Sequence, residues 1–263
     1  MSPFPTIFVS HGSPMLALQD SPARRFLQGL GASLARPTAI VMVSAHWETR
    51  GGPVVSLAPQ PATIHDFGGF PQALFDLNYH APGAPDMAER AAALFEAAGI
   101  PVGRDPQRGL DHGAWVPLRL MYPQADVPVL QISLTRGAGP AEHEQLGKAL
   151  AQLRHEGVLV IGSGSLTHNL YEFRGQRVDA PAPVWVTEFE QWMRERLQVG
   201  DHASLLNYRS LAPSAQKNHP SEEHLLPLFF AMGAAGTGAG ARAQLLHSSV
   251  EHGVLAMDAY AFN

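Results

Sequence analysis

The sequence predicts an α/β fold, in which a central mixed, largely parallel sheet is flanked by helices on both faces. Short apolar runs rich in Val, Ile and Leu alternate along the chain with segments of helical spacing. Such runs are typical of strands buried on both faces, and their alternation with helices is typical of parallel strands joined by crossovers. The 263 residues fit one large domain or two small ones. Neither an internal repeat nor a domain boundary is evident, so we expect a single domain over residues 1–263.

The elements follow from these patterns in chain order. Buried strands are predicted at Thr6–Ser10, Ala39–Ser44, Val127–Leu134 and Val158–Ile161. Helical spacing predicts helices over Ser21–Leu34, Asp86–Ala98, Pro140–Glu156 and Val184–Leu197. A proline near the start of a helix suits its first turn, as at Pro22 and Pro140. Near the end of the chain, the strand-like segments Gln244–Val250 and Leu255–Phe262 predict a closing hairpin.

Two segments lack a regular pattern. Arg50–Pro85 is rich in glycine and proline and contains aromatic residues, among them Phe67 and Phe70. Irregular segments of this length inside a domain are usually functional or disordered, and the aromatics favour a packed wall over a site. Gly233–Gly240 is rich in Gly and Ala and is expected to be a flexible connector.

The composition excludes several classes of protein. Hydrophobic residues make up 45% of the chain and charged residues 16%, which disfavours disorder. The net charge is −5 and no run of Lys or Arg exists, so neither nucleic acid nor an acidic membrane surface is an expected partner. There is no cysteine, which excludes disulfides and thiolate metal sites and agrees with a cytoplasmic location. Neither a signal peptide nor a membrane-spanning apolar run is evident.

Histidines stand where three of the predicted strands end, and a fourth lies near the start of a predicted helix. His11 and His46 follow the first two strands, His168 follows the fourth, and His224 lies one turn after Pro220, which would open the helix. Ligand sites in open α/β sheets lie at the carboxyl ends of the strands, and imidazole is the commonest transition-metal ligand. We therefore expect one metal site assembled from distant parts of the chain.

Each of these residues also has a purely structural interpretation. His11 fits a strand-end turn, and His46 fits a core histidine bonded to a backbone carbonyl. Asp111 fits a helix N-cap. That cap would place His112 at the positive end of the helix, where a neutral imidazole suits a hydrogen-bond donor or proton shuttle. The small residues of Gly162–Ser165 allow the backbone to approach a ligand closely.

The available donors limit the chemistry. Histidines and carboxylates without cysteine suit Fe(II), Zn(II) or Mn(II). The sequence lacks the HExxH pattern of common metalloproteases, and residues 162–166 do not form the G-x-S-x-G turn of serine hydrolases. In the helix predicted from Pro220, Pro227 would introduce a kink.

Six motifs, in order over nearly the whole chain, resemble those of the type III (LigB-like) extradiol ring-cleavage dioxygenases, in the 4,5-DOPA dioxygenase branch. They are His11–Pro14, Ser44–Trp47, His65–Pro71, Asp111–Trp115, Thr167–Leu170 and His219–His224. The resemblance implies a non-haem metal ion held by His11, His46 and His224. It also implies that His168 is the acid–base histidine or a further metal ligand, and that His112 contacts dioxygen.

An all-histidine site would distinguish this chain from the protocatechuate-type relatives, which use a glutamate as third ligand. In such a site all the ligands are neutral imidazoles, and it suits Zn(II) as well as Fe(II). The resemblance therefore implies one divalent metal ion per chain, with Fe(II) for turnover and Zn(II) expected in purified protein. The candidates for binding a charged substrate side chain are not ranked by the sequence; they are Arg50, Arg136, Arg174 and Asp66.

The implied activity is insertion of both atoms of O2 into a catechol, L-DOPA or a similar substituted catechol, by a monomer or small homo-oligomer. The alternative is a zinc-dependent hydrolase built on the same histidines, with metal-activated water as nucleophile. A third hypothesis is a catalytically silent binding protein on the same fold. His112 and His168 beside the metal ligands speak against silence, because binding alone needs neither.

Overall fold

A computed structural model describes residues 3–236 and 242–263. Its strands are β1 Thr6–Ser10, β2 Ala39–Thr49, β3 Val54–Ser56, β4 Gly103–Asp105, β5 Val129–Thr135, β6 Val158–Gly164, β7 Ala243–His247, β8 Val250–Glu251, β9 Leu255–Ala256 and β10 Ala259–Phe262. Its α-helices are α1 Pro22–Ser33, α2 Gln72–Phe75, α3 Pro85–Ala97, α4 His112–Met121, α5 Pro140–Ala149, α6 Val184–Val199, α7 His202–Leu206, α8 Tyr208–Leu211, α9 Ala215–Asn218 and α10 Leu226–Ala234.

Eight of the strands form one mixed sheet in the order β4-β3-β5-β2-β6-β1-β10-β7. The central strands β5, β2, β6 and β1 run parallel to one another. Strand β10 is antiparallel to both β1 and β7, and β8 pairs with β9 in a separate two-stranded sheet. The parallel centre places the carboxyl ends of β1, β2 and β6 next to one another.

Helices pack on both faces of this sheet. Successive side chains of a strand point to opposite faces, and β2 shows this alternation within the core. Val41 and Val43 pack in the cluster that contains side chains of α3, α6 and α10, whereas Ile40 and Met42 pack with side chains of α1 and α4. Burial on both faces explains why these strands read as continuous apolar runs. The predicted α/β class, with a mixed, largely parallel sheet between two helical layers, is confirmed.

The chain between α9 and α10 differs from the prediction. The helix expected to open at Pro220 begins instead at Leu226. The residues before it form a turn, in which the N–H groups of Leu225 and Leu226 donate to the carbonyl of Glu222. The carbonyl of His224 accepts a hydrogen bond from the backbone N–H of Ser165 at the end of β6, over 2.8 Å. Pro227 consequently lies in the first helical turn, where it has no intrahelical donor to lose, and the expected kink has no cause.

The sheet edges also hold elements that the sequence did not predict. Strands β3 and β4 extend one edge, and Arg50–Pro85 contains both β3 and α2. The closing hairpin is divided, since β7 pairs with β10 while β8 and β9 pair with each other. Of the predicted connector Gly233–Gly240, the first residues end α10 and residues 237–240 lie outside the described residues. No helix in the described parts of the chain has the length and hydropathy needed to cross a bilayer.

Candidate metal centre

Three histidines meet where β1, β2 and β6 end. His11 directly follows β1, His46 lies near the end of β2, and His224 lies in the irregular segment before α10. The N–H of His11 donates to the carbonyl of Gly164 over 2.9 Å, and the N–H of Ser165 donates to the carbonyl of His224 over 2.8 Å. The end of β6 therefore holds the segments that carry two of the three imidazoles.

The third histidine, His46, lies within a bulge of β2. Strand β2 advances from Val43 to Glu48 while its partner β5 advances only from Ile132 to Leu134, so the pairing skips several residues of β2. Bulges re-aim side chains and are common next to active sites. The side chain of His46 leaves β2 within this bulge and meets the rings of His11, which follows β1, and His224, which precedes α10.

The Nε2 atoms of the three imidazoles converge. Nε2 of His46 lies 3.0 Å from Nε2 of His11 and 3.3 Å from Nε2 of His224. One ligand atom from each ring lies within 4.8 Å of the other two. A single metal ion could therefore contact all three side chains.

Two of these rings donate a hydrogen bond from their other nitrogen, Nδ1, to a nearby oxygen. Nδ1 of His11 lies 3.0 Å from Oγ of Ser163, and the hydroxyl of Ser163 itself donates to the carbonyl of Gly113. Ser163 must therefore accept from His11. Nδ1 of His224 lies 3.0 Å from a carboxylate oxygen of Glu223. His11 and His224 thus carry their proton on Nδ1, which leaves the Nε2 lone pair for a metal ion.

Burial keeps the three imidazoles neutral. Desolvation, followed by repulsion from the neighbouring imidazoles, lowers the pKa of both His11 and His224 well below the usual value. Desolvation also lowers the pKa of His46 to about 4. The neutral imidazole is the form that binds metal ions. Three neutral nitrogen donors that meet at one point, two of them on buried and one on a half-buried residue, fit Fe(II) or Zn(II).

His168 lies beside this group. Its ring stacks on that of His224, with the ring centroids 3.4 Å apart and the planes 6° from parallel. Ligand atoms of His168, His224 and Glu223 also lie within 4.8 Å of one another. Desolvation lowers the pKa of His168 to about 4, although the carboxylate of Glu223 opposes this shift. A neutral imidazole in this place can serve as a base or as a fourth ligand.

His112 lies on the other side of His46, at the start of α4. Its ring centroid is 3.9 Å from that of His46 and 5.4 Å from that of His11. Asp111 caps α4, as predicted, by accepting from the N–H of Ala114 over 3.2 Å. The structure thus brings together the five histidines that the sequence analysis proposed for the site, which are His11, His46, His112, His168 and His224.

Part of the Arg50–Pro85 segment packs against His112. Oδ1 of Asp66 accepts from the backbone N–H of His112 over 2.9 Å and lies 3.0 Å from Nδ1 of the same residue. Partial burial opposes ionisation of Asp66, but the hydrogen bonds from His112 lower its pKa to about 2. Phe67 packs edge-on against the His112 ring, with centroids 5.6 Å apart. The segment therefore forms a packed wall at the site, as its aromatic residues predict.

The small residues that end β6 make room for protein backbone. A Cβ on Gly164 would lie 2.0 Å from the carbonyl oxygen of His224, and one on Gly162 would lie 2.1 Å from that of Pro227. The prediction that these small residues admit a ligand is therefore corrected. They admit the segment that carries His224.

Sequence reasoning missed the residues that hold the imidazoles. Ser163 and Glu223 accept from the Nδ1 atoms of His11 and His224, and Asp66 accepts from His112. Glu223 directly precedes His224 in the sequence, which was the one available signal. An acidic residue near the start of a predicted helix is already explained by its interaction with the helix dipole. No periodicity marks Ser163 or Asp66, because their role arises only when distant segments meet.

The four candidates for binding a substrate side chain differ in their distance from the site histidines. Asp66 contacts His112, as described above. Arg136 and Arg174 are exposed, and they lie 3.5 Å from Glu48 and 3.1 Å from Glu172. Arg50 is also exposed. Of the four, Asp66 is the one placed among the site histidines.

Gly113 allows α4 to approach the imidazoles, which leads to a testable prediction. A Cβ at Gly113 would lie 2.3 Å from Oγ of Ser44, 3.0 Å from Cδ2 of His46 and 3.1 Å from Cε1 of His11. We expect Gly113→Ala to displace the imidazoles and to weaken zinc binding by about 10–100-fold, the effect of disturbing the partners of metal ligands. Competition with a chromophoric chelator measures this affinity. Gly29→Ala in α1, where a Cβ meets nothing within 4 Å, is the control. Equal zinc affinity in the two variants would contradict the prediction.

Comparisons with known proteins identify the family of this chain. The family described as the catalytic LigB subunit of aromatic ring-opening dioxygenase matches residues 5–262. The 4,5-DOPA dioxygenase extradiol of Beta vulgaris is 43% identical, over 98% of this chain and 96% of the relative. That of Escherichia coli (strain K12) is 44% identical, over 88% of this chain and 84% of the relative. A crystal structure of an uncharacterized protein from Escherichia coli K12 matches with a TM-score of 0.80 and 33% identity, covering 98% of this chain and 99% of that one. The chain belongs to the LigB family of extradiol aromatic ring-opening dioxygenases, as its motifs predict.

Proposed function

We propose that this enzyme opens the ring of a catechol beside its two hydroxyl groups and inserts both atoms of O2, with L-DOPA or a similarly substituted catechol as substrate. The observation that carries the proposal is the convergence of three Nε2 atoms beside two further imidazoles. Relatives that match nearly all of this chain are named 4,5-DOPA dioxygenase extradiol. We infer that residues 1–263 act as one catalytic domain.

We assign His11, His46 and His224 as the ligands of one divalent, non-haem metal ion. Bound Fe(II) would supply the one-electron chemistry that lets a catechol react with dioxygen, which redox-inert Zn(II) does not supply. Three neutral imidazoles bind either ion. We therefore infer that Fe(II) supports turnover and that Zn(II) occupies much of the protein after purification.

We assign His168 and His112 to the substrate and dioxygen. His168 is neutral and stacks on His224, so its ring can accept the proton that a catechol hydroxyl loses on binding. His112 lies against His46, where it can stabilise negative charge that develops on oxygen. Phe67 packs edge-on against His112 and covers that side of the ring.

The inferred partners are therefore small molecules, a catechol and O2. A monomer or small homo-oligomer and a cytoplasmic location stay predictions from the sequence. The zinc hydrolase alternative uses the same three ligands but needs no dioxygen, and membership of the ring-opening dioxygenase family favours the dioxygenase.

Isotope incorporation tests the proposed reaction. Fe(II)-loaded protein is given L-DOPA under ¹⁸O2, with simpler catechols in parallel, and the product is analysed by mass spectrometry. We expect a ring-opened product that carries both oxygen atoms from the gas, except where the newly formed aldehyde exchanges its oxygen with water. A control in H2¹⁸O with ordinary O2 identifies that exchange. Products whose added oxygen comes only from water would favour the hydrolase.

A further inference from the structure

We propose that Asp66 is a positioning residue shared by two imidazoles of the site. Its carboxylate fixes His112 with the proton on Nδ1, so that Nε2 of His112 presents a lone pair to the substrate, and it orients His46 as a metal ligand. The substrate step rests on the proposed function, whereas the tautomer and the orientation do not.

The hydrogen bonds to Asp66 determine which nitrogen of His112 carries the proton. Oδ1 of Asp66 lies 2.9 Å from the backbone nitrogen of His112 and 3.0 Å from its Nδ1. An ionised carboxylate only accepts hydrogen bonds. Nδ1 of His112 is therefore the donor, and a neutral ring carries its lone pair on Nε2.

The same carboxylate faces a metal-site histidine. Oδ2 of Asp66 lies 3.6 Å from Nδ1 of His46. This distance is too long for a good hydrogen bond, but the negative charge still favours a proton on Nδ1 of His46. Nε2 of His46 then remains an acceptor, and this is the atom that faces Nε2 of His11 and His224. One side chain thus biases two neighbouring rings toward the tautomer that each needs.

The segment around Asp66 is held firmly enough to position these rings. The backbone N–H of Ile64 donates to the carbonyl of Leu110 over 2.8 Å, and the indole N–H of Trp115 donates to the carbonyl of Ile64 over 3.0 Å. His65 bonds through Nε2 to the carbonyl of Leu77 over 2.9 Å. These bonds tie the two residues before Asp66 to α4, to the residue Leu110 shortly before α4, and to the chain that follows α2.

The tautomer changes the role expected for His112. A neutral His112 of this form accepts a hydrogen bond at Nε2. Of the two catechol hydroxyls, the one that does not pass its proton to His168 donates to it. Once that proton has moved to Nε2, the ring is an imidazolium whose positive charge is balanced by the carboxylate of Asp66. The protonated Nε2 then donates to oxygen that gains negative charge during the reaction. Asp66 would thus support both states of His112 without contacting the substrate.

Asp66→Ala tests this inference because it removes both carboxylate oxygens. The backbone N–H and Nδ1–H of His112 then lose their shared acceptor, and Nδ1 of His46 loses the negative charge that faces it. Asp76→Ala is the matched control, because Asp76 lies in the same segment, is exposed and bonds to Gln72.

The first measurement is the ¹⁵N spectrum of histidine rings in zinc-loaded protein, with the His112 signals assigned by His112→Gln. We expect unsubstituted protein to show His112 protonated on Nδ1 and unprotonated on Nε2, and Asp66→Ala to lose this state. A proton on Nε2 of His112 in the unsubstituted protein would overturn the proposal, even if Asp66→Ala fails to fold.

Zinc affinity and turnover complete the test. We expect Asp66→Ala to weaken zinc binding by about 10–100-fold and, with Fe(II) at saturation, to lower kcat more than it raises KM. Asp76→Ala should match the unsubstituted protein in both. Unchanged zinc affinity and tautomer in Asp66→Ala would contradict the positioning role. Absence of dioxygen consumption in the unsubstituted protein would instead refute the proposed function, while the spectrum and the zinc affinity would still decide the role of Asp66.

Discussion

The His46→Ala variant is expected to lose its metal ion while keeping its fold. Nε2 of His46 is the atom shared by the two closest contacts of the site, 3.0 Å to His11 and 3.3 Å to His224. Removing it leaves two donors, which hold a divalent ion poorly. Loss of a residue that merely supports a ligand costs about 10–100-fold in metal affinity, so loss of the ligand itself should exceed about 100-fold.

Metal analysis after gel filtration measures this loss, and circular dichroism checks the fold. Strand β2 is paired on both sides, with β5 and β6, so its backbone does not depend on the His46 ring. His155→Ala is the matched control, because His155 is exposed and lies in the 3₁₀ turn before β6. Full occupancy by iron or zinc in His46→Ala would remove His46 from the ligand set.

The second large effect is expected for His168→Ala, which should keep the fold and lose most turnover. The ring of His168 stacks on His224, and its neutral form is available to take a proton. A positioned general base contributes about 10²–10⁴-fold to a rate, so we expect kcat of the Fe(II) enzyme to fall by that factor. Steady-state rates at saturating Fe(II) measure this effect without a contribution from weaker metal binding.

Zinc affinity of the same variant separates the two roles of His168. An affinity equal to that of the unsubstituted protein would assign His168 as a base, whereas a large loss would assign it as a fourth ligand. Turnover close to that of the unsubstituted enzyme would show that it is neither.

The parts of the fold that the sequence predicts are those with a strong local pattern. The central strands are buried on both faces, so they appear as apolar runs, and the rule that sites lie at strand carboxyl ends then selects His11, His46 and His168. Strands β3 and β4 have three residues each, at the sheet edge, and give no such signal. Short edge strands form because a neighbour is available for pairing, which no local pattern records.

The start of α10 shows tertiary contacts overriding a local signal. The residues after His219, with a proline followed by two glutamates, look like the first turn of a helix. The carbonyl of His224 nevertheless accepts a hydrogen bond from Ser165. It can come this close because residue 164 is a glycine; a Cβ there would clash with that carbonyl. His224 therefore lies at the site, as predicted, but on an irregular segment and not in a helix.

The residues that orient the imidazoles were beyond sequence reasoning for a related reason. Ser163, Glu223 and Asp66 each contact a histidine only because separate segments meet at the ends of three strands. Asp66 lies in a segment without regular spacing, and the sequence offered it only as one of four candidates for a substrate contact. Its two-ring contact is a property of the folded chain.

The proposed dioxygenase reaction is decided by dioxygen uptake in protein reconstituted anaerobically with Fe(II). The protein is given L-DOPA, with simpler catechols in parallel and a Zn(II)-loaded sample as the control. We expect stoichiometric O2 consumption with a yellow ring-opened product from the Fe(II) protein, and none from the Zn(II) protein. No uptake with any catechol, despite one bound Fe(II) per chain, would contradict it.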